Sequence, residues 1–111
     1  MPGSDQIARN LDAWFERVRA ALFALAQEHA REAEGWMKEN APWTDRTGNA
    51  RQGLKATVSM EEAEIRITLS HTVDYGVYLE LRQGPGRRPI LAPARERQAP
   101  LLLEDVKALL G

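Results

Sequence analysis

The sequence predicts an α+β fold: one long N-terminal helix packed on a small antiparallel hairpin, followed by a short helix and a C-terminal helix. Two observations carry this. From Asp5 to Glu39 the apolar residues Ile7, Leu11, Trp14, Phe15, Val18, Ala21, Leu22, Leu25, Ala26, Ala30, Ala33, Trp36 and Met37 recur at three-and-four spacing, which places them on one side of a helix. From Leu54 to Ser70 the period changes to two, with a polar break in the middle, as in two paired strands.

Length and composition set the frame. A chain of 111 residues suits a single domain over 1–111, and 43% hydrophobic with 28% charged residues is globular composition. The net charge of −1 gives no global attraction to nucleic acid or acidic membrane, so any electrostatic role is local. With no cysteine, a disulfide framework, a thiolate zinc site and a cysteine nucleophile are all excluded. The N-terminus has no basic segment followed by an apolar core, and no apolar run approaches a membrane span, so the expected product is cytoplasmic where it is made.

The elements follow in order. Ser4 is placed to cap the first helix, and Asp5 adds negative charge at the positive end of its dipole. Gly35 weakens the last turns and Pro42 disfavours helical angles at Ala41, so the helix is expected over 5–39. At about 1.5 Å per residue it would run roughly 50 Å. Residues 41–53 hold turn-formers and no periodicity, and read as a long loop, either a surface connection pinned by Trp43 or an arm that orders against a neighbouring subunit.

In the hairpin, Leu54, Ala56, Val58 and Met60 share one face of the first strand, and Ala63, Ile65, Ile67 and Leu69 one face of the second. Glu61-Glu62 is poor chemistry for a two-residue turn, which leaves the register open by a residue. An isolated hairpin is marginal in water, so its apolar face is expected to meet Trp14, Phe15, Leu22 and Leu25 of the helix. Residues 73–81 alternate like a strand but also fit a helical turn. The Gly/Pro/Arg segment 82–91 breaks any element. A last helix is expected over 93–110, kinked at Pro100 or starting near it, with Leu102, Leu103, Val106, Leu109 and Leu110 turned inward.

Chemistry-bearing clusters are sparse. His71 and Asp74 can meet on a helical turn, but no nucleophile or metal cluster is placed to complete a catalytic set, and a structural histidine at a strand end is the better reading. His29 and Glu32 offer two ligands, which is short of a metal site. No cofactor, catalytic or metal residue is assigned. Arg82, Arg87, Arg88, Arg95 and Arg97 against Glu96 give a local excess of positive charge. That segment can face DNA phosphates without reading bases, pair with acidic residues of an adjacent subunit, or be a solvated turn.

Three fragments together resemble the small neck or tail-completion (head-tail joining) proteins of long-tailed bacteriophages. They are Ala41-Pro42 with Thr47-Gly48 and then Leu54, Tyr75-x-x-Tyr78-x-Glu80, and Arg88-Pro89-Ile90-Leu91-x-Pro93-Ala94 before the last helix. Two positions depart from that pattern: the glycine expected directly after the Tyr-Glu segment is displaced to Gly84, and Ile90 stands where an aromatic is commoner.

The resemblance implies that residues 73–81 are a short helix, against the strand-like alternation. It also implies a non-enzymatic virion protein, made in the host cytoplasm, whose subunits form a ring between head connector and tail tube, a hexamer being favoured. The expected oligomer and partner contacts are Trp36, Trp43, Thr47, Gly48, Tyr75, Tyr78, Glu80, Gly84, Pro85, Gly86, Arg87, Arg88 and Pro89. Trp36 and Trp43 are included because Trp is enriched at interface hot spots, whereas Trp14 is expected in the core. The alternative is a small DNA-associated accessory protein using the Arg82–Arg97 segment. A physical argument for oligomers stands beside the resemblance: a short hairpin and a short helix can hardly cover an apolar stripe of roughly 50 Å.

Overall fold

The structure, a computed structural model, describes residues 3–42, 49–62, 64–82 and 89–111. Its elements run α1 (Ser4–Asn40), α2 (Asn49–Gln52), β1 (Leu54–Glu61), β2 (Glu64–His71), α3 (Asp74–Arg82) and α4 (Leu91–Leu110). The architecture is the α+β arrangement expected, with the long helix, the two-stranded antiparallel hairpin, short helices and a C-terminal helix in that order.

The N-terminal cap differs from expectation. Ser4 already lies inside the helix, so the capping residue is Gly3, which has no side chain to cap with, and the Ile7 N–H bonds back to the Gly3 carbonyl. The other end of α1 is closed more firmly. Arg51, on the short helix α2 within the segment expected to be a loop, donates to the carbonyls of Lys38 at 2.7 Å and Ala41 at 2.8 Å. A guanidinium there satisfies orphan carbonyls and complements the negative end of the helix dipole.

The register of the hairpin pairs Leu54 with His71, Val58 with Ile67 and Glu61 with Glu64. The connection therefore begins at Glu62, one residue later than the Glu61-Glu62 expected, and residue 63 lies outside the described set. Two side chains of α1 hold the hairpin to the helix at opposite ends. Glu34 accepts from the Ala56 N–H at 2.9 Å near the base, and Arg19 donates to the Glu61 carbonyl at 2.7 Å at the tip. Burial works against the Glu34 carboxylate, but that N–H together with Lys38 and Lys55 outweighs it and holds the pKa below the usual value.

The core sits at the base of the molecule, where Met37, Ala41, Ala50, Leu54, Leu79, Ile90 and Ala94 from five elements and their flanks come together. This corrects the expected helix-on-sheet core around Trp14 and Phe15. Those two side chains are 48% and 59% exposed, because the hairpin tip meets α1 at Arg19 and, among the described residues, no element packs over the turns that precede it. Ile7 and Leu11 are equally open. The α4 expectation is corrected as well: the helix starts at Leu91 and passes through Pro100, Leu102 and Val106 are half-buried, and Leu103, Leu109 and Leu110 face outward. Met60, placed on the inward face of β1, is exposed near the tip.

The result is a rod of 68 × 23 × 23 Å with a radius of gyration of 18.7 Å, where a compact chain of this length would have about 13 Å.

Candidate functional site

Three elements frame an open apolar groove of about 1150 Å³. Its floor is α1, through Phe15, Val18, Leu22 and Ala26. One wall is β2, through Ile65, Ile67 and Leu69, and the other is α4, through Leu91, Leu102 and Val106. The hairpin and α4 both pack on α1, and among the described residues nothing covers the strip between them. Alternation along β2 aims its apolar side chains into this space, and the three-and-four spacing of α4 does the same from the other side.

The wall formed by α4 is anchored to α1 by a polar cluster. His29 is only 3% exposed, yet both ring nitrogens are engaged. Nε2 donates to the Asp105 carboxylate at 2.7 Å, and Nδ1 accepts from the Gln98 amide at 2.6 Å. That amide also donates to Glu32 at 3.3 Å, while the Gln98 oxygen accepts from Arg97 at 3.0 Å. The Arg97 guanidinium in turn lies 3.6 Å from Glu32 and 5.6 Å from the centre of the Trp36 ring. His29 and Glu32, considered above as two metal ligands, are thus brought together in a network that fixes the pitch of α4. Among the described residues no group of three metal-ligating side chains converges.

A second anchor lies at the base. Glu80 of α3 accepts from His71 Nε2 at 2.7 Å through one oxygen and from the backbone N–H groups of Ile90 and Leu91, at 3.2 and 3.3 Å, through the other. A carboxylate at the first turn of α4 is favoured by the orphan N–H groups and the helix dipole. Gly76 packs on the His71 ring so closely that a Cβ there would stand 2.6 Å from Nδ1. Thr72 ties the strand end down by donating both its N–H and its hydroxyl to the Gly53 carbonyl at 2.8 Å.

Of the residues expected at interfaces, Trp36 is half-buried against the core and under Arg97. Tyr75, Tyr78 and Arg82 are carried on α3, and Glu80 faces inward to His71 and α4. Pro89 is half-buried just before α4. Trp43, Thr47, Gly48, Gly84, Pro85, Gly86, Arg87 and Arg88 lie outside the described residues. Within the basic segment Arg95 is exposed at the groove, whereas Arg97 is engaged with Glu32. His71 turns to Glu80, a partner that its spacing to Asp74 did not suggest.

Helix length alone marks the stripe on α1 as longer than the other elements can cover, but that its open end and the groove form one surface depends on how the hairpin and α4 dock, which no local period conveys. Comparison with protein-family models, with curated proteins and with solved structures returned no match.

Proposed function

We propose that this chain is a structural assembly protein of a phage or prophage neck, acting by shape and subunit contacts to join the head connector to the tail tube. The observation that carries the reading is the apolar arm: residues 4–17 of α1 precede the Arg19 contact with the hairpin tip, with Ile7, Leu11, Trp14 and Phe15 open. A soluble chain rarely leaves such a patch uncovered unless a partner covers it. The order of elements and the short α3 carrying Tyr75, Tyr78 and Glu80 fit the resemblance to tail-completion proteins, and the Glu80 carboxylate explains why that motif and the Pro89-to-Ala94 motif belong together: one holds the other's helix start.

In this reading subunits form a ring, a hexamer by preference, on the end of a connector or tail tube. Head-to-tail contacts close into rings when the rotation permits. Of the segment 41–53, Ala41, Ala50 and Gly53 are buried within the chain itself, so the inter-subunit and inter-ring contacts fall to residues 43–48 and 83–88. The DNA-associated alternative draws less support, since Arg97 is already paired within the fold. Deleting the coding sequence from a phage genome that carries it tests the proposal. The expected lysate contains filled heads and finished tails that remain separate in electron micrographs, and a normal yield of joined particles would overturn it.

A further inference from the structure

We infer that the free chain is a two-fold dimer in which the arm of each copy, residues 4–17 of α1, lies antiparallel in the apolar groove of the other. The molecule has two matching deficits. Among the described residues it carries an apolar helical arm with no cover and an apolar groove with no filling, both on the same helix. The arm's 14 residues span about 21 Å, and the groove floor from Phe15 to about residue 30 spans about the same. A helix entering by its N-terminus from the open end must run antiparallel to α1, and then the identical contact forms a second time, as an isologous interface requires.

The stripe pairs with itself in that arrangement. About a dyad between Phe15 and Val18, Leu11 of one copy falls over Leu22 of the other, Ile7 over the small Ala26, and Phe15 over Val18. Every one of these is an apolar residue at the arm or on the groove floor. The surface area points the same way. The chain exposes 7877 Å², while a compact monomer of 12.5 kDa exposes roughly 6200 Å². The excess, roughly 1700 Å², exceeds the approximately 800 Å² that each partner contributes to a stable interface.

The inference starts from the same arm as the neck reading but concerns the free protein before any template is met; the dimer is tested on the purified chain and the neck reading on joined particles, so the two failures are distinguishable. Sedimentation velocity from 1 to 100 µM should give a species of twice the chain mass. Leu11→Glu and Phe15→Glu should each raise its dissociation constant at least about a hundredfold, with the circular dichroism of the fold unchanged because both side chains are exposed in one copy. Since the chain has no cysteine, a Leu11→Cys variant mixed with a Leu22→Cys variant should form a mixed disulfide under mild oxidation, more than either variant forms with itself. A monomer throughout the range, a closed ring of more than two copies, or a dimer without the mixed cross-link would each overturn the inference.

Discussion

The Glu80 carboxylate bridges His71, at the end of the hairpin, to the first N–H groups of α4, with 2.7 Å between Glu80 Oε1 and His71 Nε2. One side chain thereby fixes where β2 ends, how α3 sits, and where α4 begins. Both partners are largely withdrawn from water, at 15% and 2% side-chain exposure. Removing the acceptor takes from His71 Nε2 its carboxylate partner and from two backbone donors theirs. Glu80→Ala is therefore expected to lower unfolding free energy by about 3 kcal/mol, and Glu80→Gln, which keeps an acceptor, by about half as much. Urea denaturation followed by circular dichroism measures both.

Gly76 and His71 form a coupled pair. The Cβ of Gly76→Ala would overlap the ring, so the ring has to shift away from Glu80, at a cost of about 1–3 kcal/mol. In the background His71→Ala the same substitution should cost much less, because the obstacle is gone. A double-mutant cycle reads the difference, and additive losses would mean that the contact is relieved elsewhere.

Glu34 makes stability depend on pH. Its pKa in the folded chain lies below the ordinary 4.5, because the Ala56 N–H and the two lysines outweigh burial. The contribution is fully present above the unfolded value and is lost as pH falls through the folded one. The stability difference between the parent and Glu34→Gln should be constant near neutrality and shrink progressively below about pH 4.5. A difference that grows on acidification would contradict this assignment.

The position of the core is tested by contrast. Met37→Ala, at a fully buried side chain, should cost about 2–5 kcal/mol, whereas Leu103→Ala, on the open face of α4, should stay within about 0.5 kcal/mol. Comparable losses at both would place the core elsewhere.

Elements with a strong local period were legible in the chain. The stripe of α1 and the alternation from Leu54 to Leu69 reflect which side chains meet water, and the structure follows them to within a residue or two. What periodicity cannot convey is which partner covers a given face. Trp14 and Phe15 share their stripe with Ala33 and Met37, yet only the latter pair is buried, because hairpin and α4 dock on the C-terminal half of the helix. The α3 segment alternates like a strand, and its helix is set by tertiary contacts, Leu79 into the core and Glu80 to α4. His71 with Glu80 and His29 with Asp105 are separated by 9 and 76 positions, so no local motif reveals the second of them.

The most direct test of the neck reading is add-back. Heads and tails from a lysate lacking this chain are mixed with the purified protein, and joined particles are counted by electron microscopy and plaque assay. Joining and infectivity should return in proportion to added protein, and should fail with a Trp43→Ala or Gly84-Pro85-Gly86 deletion variant whose fold is intact. Separate heads and tails after addition of the folded parent protein, under conditions where other neck components are present, would contradict it.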